Sequence, residues 1–142
     1  MTFYKTALTG ALLLLLTGCA GGTKTPSNIA QSCAIGDTMT QSTLYFGLNR
    51  PAGPEITTTE WQQFVDNDVT PSFREGLTVF NASGQWLGKD GKLARESSKA
   101  LMLIHAGDAE SNSNIEKLRS TYQSRFNQDS VMRVDQKVCV AF

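Results

Sequence analysis

An α+β fold, in which strands and helices follow one another in the order βαββαβ, is predicted by three features of the sequence. Two segments repeat apolar residues at steps of three and four, as an amphipathic helix does. Four others either alternate apolar and polar residues or are apolar throughout, as strands do. All six segments lie within residues 32–142, a length typical of one domain.

The first strand and the first helix are marked by β-forming residues and by a helix cap. Residues 43–48 place an apolar side chain at every second position, which predicts a strand. Thr57 and Glu60 have the spacing of a capping box, so a helix should begin at Thr57. Pro71 should stop this helix, because proline cannot donate a backbone hydrogen bond.

A hairpin is predicted in the middle of the chain. Residues 77–80 form its first strand, and a turn at 81–84 followed by a continuation at 85–87 suggests a bulge or a bent arm. Asp90-Gly91 is a tight turn. The third strand then covers residues 95–105, and it should be central because its middle is apolar at every position.

The second helix and the last strand complete the order. Asp108 and two later serines offer caps for a helix. Its apolar stripe consists of Ile115, Leu118, Tyr122 and Phe126. The last strand has one apolar face, Val134, Val138, Val140 and Phe142. Its other face carries Arg133, Asp135, Lys137 and Cys139.

The commonest solution for this order is the ferredoxin-like fold, a four-stranded antiparallel sheet with two helices on one face. In that topology the first and last strands are neighbours, so Cys33 and Cys139 should lie side by side. We predict that they form a disulfide, in a compartment where thiols oxidise. Two unpaired buried thiols are the alternative.

The N-terminal 31 residues predict export and a lipid anchor. Lys5, an apolar run over residues 7–16 and a small-residue ending form a secretory signal over residues 1–18. Leu16-Thr17-Gly18-Cys19 resembles the lipobox of bacterial lipoproteins, which implies a membrane anchor on a lipidated Cys19. An ordinary signal peptide with a chance cysteine is the alternative.

The residues after Cys19 bear on where the protein is held. Ala20, rather than an acidic residue, favours the outer membrane, facing the periplasm, if the host has two membranes. Residues 19–31 are rich in Gly, Thr, Ser, Pro and Asn, which predicts a flexible tether before a single domain at 32–142.

Charge excludes two classes of partner. Without Lys5, 12 of the 13 basic residues remain against 13 acidic residues, and the two signs are interspersed. Nucleic-acid binding needs a concentrated basic face, so no nucleic-acid partner is expected. A polybasic membrane-binding surface is equally unsupported.

Helices on one face leave the other face of the sheet without an obvious cover. Tyr45, Phe80 and part of the run 101–103 should point there. A homodimer through the two sheet faces, or a loop folded over the sheet, would bury this apolar surface. Together with Trp86, Tyr45 and Phe80 are candidate lining residues of an enclosed cavity, although simple packing is the alternative for Tyr45 and Trp86.

Catalytic candidates are few. Arg95, Glu96 and Lys99 are charged residues of one strand, and alternation places Glu96 on the opposite face from the other two. His105, the only histidine, ends this strand and is a candidate general base. A charged strand end and a loop histidine are the alternatives. We find no ligand set for a metal and no glycine loop for phosphate, so we expect no cofactor and no metal site.

Several segments, in order, resemble a known family. They are Leu44-Tyr45-Phe46-Gly47, Trp61-Gln62-Gln63-Phe64-Val65-Asp66, Val69-Thr70-Pro71-Ser72-Phe73, Gly76-Leu77-Thr78-Val79, Gly84-Gln85-Trp86, Arg95-Glu96-Ser97-Ser98-Lys99 and Val138-Cys139-Val140-Ala141-Phe142. This pattern is similar to the bacterial family known as domain of unknown function 3574, which brings no established activity. The chain departs from it at Ser72-Phe73-Arg74-Glu75, where an arginine before the phenylalanine and a proline after it are expected.

Two functional hypotheses follow. The first is a membrane-tethered envelope lipoprotein that acts as a binding or structural module, with a partner copy or a small-molecule ligand on its apolar sheet face. The second is a small cofactor-free enzyme of the dimeric α+β barrel type acting on a small molecule, which rests on fold analogy alone. The absence of a recognisable catalytic set favours the first and makes an enzyme the weaker hypothesis.

Overall fold

A computed structural model describes residues 32–142. The elements in chain order are β1 (Asp37–Gly47), α1 (Thr58–Phe64), a π-helical segment (Val65–Val69), α2 (Thr70–Ser72), β2 (Thr78–Leu87), β3 (Leu93–His105), α3 (Ala109–Phe126) and β4 (Met132–Val140). The predicted export signal, the lipidated Cys19 and the predicted tether lie outside the described residues.

The strands form one antiparallel sheet in the order β2-β3-β1-β4. The α+β, ferredoxin-like prediction is therefore confirmed, and β3 is central as expected. The predicted disulfide is also present, with Cα atoms of Cys33 and Cys139 5.4 Å apart. Thr38 pairs with Cys139, so the disulfide joins the chain just before β1 to the end of β4.

The first helix begins where the capping box places it. The Thr57 side chain accepts a hydrogen bond from the Glu60 N–H, and the Glu60 carboxylate accepts one from the Thr57 N–H at 2.9 Å. The Thr57 N–H and then the Arg50 guanidinium lower the pKa of Glu60 to about 2. Helical backbone continues for one residue beyond Pro71, after a π turn in which the Thr70 N–H bonds to the Val65 carbonyl.

The predicted bulge or bend in the second strand is wrong. β2 is continuous, and residues 81–84 pair in regular register with β3. Side chains support this pairing, since Lys99 Nζ donates to Asn81 Oδ1 at 2.6 Å and Arg95 Nε donates to Gln85 Oε1 at 3.0 Å. Hydrogen bonding to β3 overrides the local turn preference of these residues.

The hydrophobic core lies between the helices and one face of the sheet. Its centre is a set of aromatic rings in edge-to-face contact, with the Phe46 and Tyr122 centroids 4.6 Å apart. The fully buried members are Leu44, Phe46, Phe64, Val69, Leu101, Leu103, Ile115, Tyr122 and Val131. The Tyr122 hydroxyl donates to the Gly47 carbonyl at 2.8 Å and so ties α3 to the end of β1.

Candidate binding site on the open face of the sheet

The two faces of the sheet differ sharply in charge. We define the open face as the odd positions of 37–47 in β1 and the even positions of 78–86, 94–104 and 132–140 in the other three strands, which alternation and register direct away from the helices. The charged residues in this set are Glu96 and, at the first position of β1, Asp37. The helix-facing positions of the same strands carry Arg95, Lys99, Arg133, Asp135 and Lys137.

Large apolar side chains on the open face have no cover among the described residues. Phe80 and Trp86 are each 50% exposed, Val134 is 48% exposed and Met132 is 56% exposed. Isolated exposed apolar residues are ordinary, but these four share one face that also carries little charge. The open face therefore has the composition of a surface that meets a partner or a ligand.

A groove of about 870 Å³ indents the open face where β1 ends. We call it the open-face groove. The strands contribute Tyr45, Gly47, Ala82, Ser83, Gly84, Trp86, Ala94, Arg95, Glu96, Ser98 and Met132 to its lining. The connecting segments contribute Asn49, Arg50, Pro51 and residues 127–130.

Glycine residues on both neighbouring strands create the space around Glu96. Gly84 lies directly across from Glu96 on β2. On β1, a Cβ added to Gly47 would overlap the Glu96 carboxylate, whereas a Cβ added to Gly84 would meet only ordinary van der Waals contact. The Glu96 carboxylate therefore lies over the backbone of Gly47, with Trp86 and Tyr45 in the same groove.

The hydrogen bonds around Glu96 leave its charge without a cationic partner. Its Oε1 atom accepts from the Asn49 N–H at 3.1 Å. Among residues 32–142 it enters no salt bridge. Burial raises the pKa of the Tyr122 phenol, and the nearby Glu96 charge raises it further.

The two arginines that border the groove direct their guanidinium groups elsewhere. Arg50 forms a salt bridge with Glu60 at 2.5 Å, and its guanidinium lies 5.8 Å from the ring centroid of Phe126. Arg95 donates from Nε to Gln85. The site is thus a partly apolar groove that holds an unpaired carboxylate.

The structure places the predicted site residues in three regions. Tyr45 and Trp86 line the groove, and Phe80 lies on the same face beyond its lining. Glu96 is in the groove. Lys99 projects from the helix-facing side to Asn81, and Arg95 to Gln85.

His105 belongs to the third region, a buried polar cluster beneath the sheet with Ser42 and Asp135. The Gly107 N–H donates to His105 Nδ1 at 3.0 Å, so the neutral ring carries its proton on Nε2. That Nε2–H donates to Ser42 Oγ at 2.8 Å, and the Ser42 hydroxyl donates to Asp135 Oδ1 at 2.6 Å. Ser42 is therefore the middle member of this row of hydrogen bonds.

The cluster has the residue types of a catalytic triad but not its arrangement. In a triad the histidine accepts the serine proton and the acid binds the other ring nitrogen. Here the serine proton points to the carboxylate, and Ser42 is fully buried. The geometry indicates a structural role that satisfies polar groups on a face otherwise filled by the core.

Electrostatics keep this cluster in one protonation state. Burial lowers the pKa of His105, and the charge of Arg133 lowers it further. Burial alone would raise the pKa of Asp135, but hydrogen bonds from Arg133 and Ser42 outweigh burial and lower it. His105 is therefore neutral and Asp135 ionised at neutral pH.

Sequence reasoning missed Ser42 and Asp135 because neither belongs to a local motif. Their connection depends on register, which pairs Ser42 with Asp135 across β1 and β4. The one available signal was the run of charged residues at every second position of β4, opposite polar residues of β1.

Two other features, a metal-binding cluster and a membrane-spanning helix, are absent from residues 32–142. No group of three or more His, Cys, Asp or Glu side chains there is placed to hold a metal ion. In the same range no helix is long and apolar enough to span a bilayer.

Comparison with known proteins gives one sequence match and a set of structural likenesses. Residues 41–142 match the family described as "Protein of unknown function (DUF3574)", which confirms the resemblance noted from the sequence. No curated protein matches the chain.

The structural likenesses are to proteins with little sequence identity. A phage SAM lyase in complex with S-methyl-5'-thioadenosine is similar at 15% identity, over 72% of this chain and 90% of that chain, with a TM-score of 0.56. The same enzyme in its apo state is similar at 16% identity over 80% and 98%, with a TM-score of 0.55. CutA from Synechococcus elongatus is similar at 13% identity over 74% and 81%, with a TM-score of 0.50. These likenesses show the fold alone.

Proposed function

The chain belongs to the DUF3574 family, whose function is unknown, and we propose that it is a lipid-anchored binding protein of the cell envelope. In this proposal a second copy of the chain covers the open face, and the open-face groove holds a small molecule. One observation carries the proposal: apart from Asp37 at the start of β1, Glu96 is the only charged residue among the open-face positions, although the reverse side of the same strands is rich in charge.

The N-terminal sequence supports export and anchoring. A secretory signal ends at Cys19 in a lipobox-like tetrapeptide, and lipid on Cys19 would hold the domain at a membrane. The disulfide between Cys33 and Cys139 suits an extracytoplasmic compartment, because thiols persist in the reducing cytosol. Ala20 favours the outer membrane, facing the periplasm, in a host with two membranes.

The size of the open face supports a second copy as its cover. Four strands about 4.8 Å apart and roughly 30 Å long present on the order of 600 Å². Two such faces would bury about 1,200 Å² in total, which reaches the lower range of stable interfaces. Depletion of charge is typical of the centre of such interfaces. The predicted tether is a poor alternative cover, because residues 20–31 are mostly small and polar.

The groove supports a ligand as well as a partner copy. Its volume of about 870 Å³ lies in the usual range of small-molecule sites, about 300–1,000 Å³. The phage SAM lyase of similar fold was solved with a small molecule, which agrees with a ligand-binding role but assigns no ligand to this chain. An enzymatic role has less support, because His105 is buried in hydrogen bonds on the opposite side of the sheet from Glu96.

Three measurements test this proposal. Fractionation of cells should recover the protein with membranes, and Cys19→Ala should abolish incorporation of labelled fatty acid. The detergent-solubilised protein should have twice the mass of one chain after correction for bound detergent. Recovery of unlipidated protein in the cytosol would contradict the lipid anchor. A monomeric mass would contradict the second copy.

A further inference from the structure

We infer that the ligand of the open-face groove is an organic cation, with its ammonium group or equivalent seated on Glu96 and its apolar part against Trp86 and Tyr45. This inference rests on the proposed function only in taking the groove as a ligand site. It requires neither the lipid anchor nor the second copy.

The charge of Glu96 is the first step of the argument. A carboxylate in a groove lined partly by apolar side chains loses hydration when a ligand occupies the groove, and it then needs a counter-charge. The Asn49 N–H supplies one hydrogen bond, at 3.1 Å, but no positive charge. A cationic ligand would supply the missing positive charge and donate a charge-assisted hydrogen bond to the carboxylate.

The positive groups nearest the groove do not fill this role. Arg50 is held by Glu60 and by the Pro54 carbonyl, at 2.5 and 3.3 Å. Arg95 is held by Gln85 at 3.0 Å. Turning either guanidinium toward Glu96 would break contacts that the structure makes. Asp129, the other acidic residue of the lining, adds negative charge at the rim.

The aromatic residues of the groove favour a cation over other counter-charges. Trp86 and Tyr45 both line it, and the negative faces of aromatic rings attract ammonium and quaternary ammonium groups. Trp86 is 50% exposed, so its ring is available to a ligand. Gly84 leaves the β2 side of Glu96 free of a side chain, and Gly47 lets the carboxylate lie over the backbone of β1, so a ligand in the groove can reach the carboxylate.

The test compares probes that differ in charge and share a shape. Phenethylamine is protonated at neutral pH, 2-phenylethanol is its neutral analogue, and 3-phenylpropionate is an anionic counterpart. The chain has two tryptophans, and Trp61 is only 3% exposed, so a change in tryptophan fluorescence on titration reports Trp86. The titrations use the same detergent-solubilised protein, expressed from the full-length sequence, at low ionic strength.

Phenethylamine should bind at least about tenfold more tightly than 2-phenylethanol, and 3-phenylpropionate should bind most weakly. Glu96→Gln should remove the preference for the amine, while Glu96→Asp should retain part of it. Asp37→Asn is the matched control, because it removes an exposed carboxylate at the far end of β1 and should leave the affinity unchanged. Circular dichroism establishes that each variant is folded.

Equal binding of the amine and the alcohol would overturn the inference, as would an amine affinity that Glu96→Gln leaves intact. Failure of phenethylamine to bind the wild-type protein at tens of millimolar would also overturn it. Membrane fractionation and molecular mass, measured on the same preparations, decide the proposed anchor and second copy separately.

Discussion

His105 and Ser42 form a buried hydrogen bond of 2.8 Å between two neighbouring strands, with the histidine as donor. Asp135 on a third strand accepts the serine proton at 2.6 Å. The bond therefore belongs to a row of hydrogen bonds that links β3, β1 and β4 on the side of the sheet that packs against the helices. Because this row of hydrogen bonds includes two ionisable groups with lowered pKa values, it makes the free energy of unfolding depend on pH.

The free energy of unfolding should fall as the pH drops below about 6.5, the ordinary pKa of histidine. Above that pH His105 is neutral in both states. Below it the unfolded chain binds a proton that the folded chain excludes, until the pH reaches the lowered pKa of the folded state. Urea unfolding at pH 7.5 and pH 5.5 measures this difference, which His105→Asn should reduce. An unchanged pH dependence in that variant would show that other groups cause it.

A second loss of stability is expected below about pH 4. Asp108 has a lowered pKa because the Ser111 N–H and hydroxyl stabilise its charge, and Asp135 is lowered as described. Their contribution is present above the ordinary carboxyl pKa and is lost as the pH falls through the lowered values. The same urea series extended to pH 3 tests this. Asp135→Asn should reduce the fall in the free energy of unfolding below about pH 4.

Ser42→Ala should destabilise the protein by about 1–3 kcal/mol, because it leaves the buried His105 N–H and the Asp135 carboxylate without their shared partner. Thr43→Ala, one residue along on the open face, is the control and should cost less, because Thr43 is outside this cluster. Urea unfolding at pH 7.5 compares the two. Equal effects would show that the cluster adds no stability of its own.

Loss of the disulfide should lower the free energy of unfolding by about 2–4 kcal/mol. Cys33 and Cys139 are separated by 106 residues in sequence, so the crosslink restricts most of the unfolded domain. Cys33→Ser combined with Cys139→Ser, compared with the oxidised wild type by urea unfolding, gives the value. If the double variant matched the oxidised protein, the crosslink would have no role in stability.

Gly47→Ala should weaken phenethylamine binding, because the added methyl group occupies the position of the Glu96 carboxylate. Gly84→Ala, on the other side of Glu96, meets only ordinary contacts and should weaken binding less. Fluorescence titration of Trp86 measures both. The opposite order of effects would contradict the position assigned to Glu96.

Local and compositional patterns predicted the parts of the fold that depend on neighbouring residues. The Thr57–Glu60 capping box, the stripe of α3 and the two faces of β4 are of this kind. Topology then predicted the Cys33–Cys139 disulfide, because the order of elements makes β1 and β4 neighbours. These inferences need no knowledge of strand register.

Features that depend on register were not predictable. The start of β1 at Asp37 was missed because Thr40 and Ser42 are polar, although both are buried. Their burial is satisfied by Lys137 and by His105 with Asp135, which lie on other strands. The space around Glu96 likewise arises from glycines of β1 and β2 that only pairing brings together.

The most direct test of the central claim is the mass of the detergent-solubilised protein with and without a charge on the open face. Val134→Arg places a guanidinium on the open face midway along the edge strand β4, and Ser124→Arg adds the same charge at an exposed position of α3. Light scattering should give a dimer for the wild type and for Ser124→Arg, and a folded monomer for Val134→Arg. A wild-type monomer, or a dimer that Val134→Arg leaves intact, would contradict the assignment of the open face as the meeting surface of two copies.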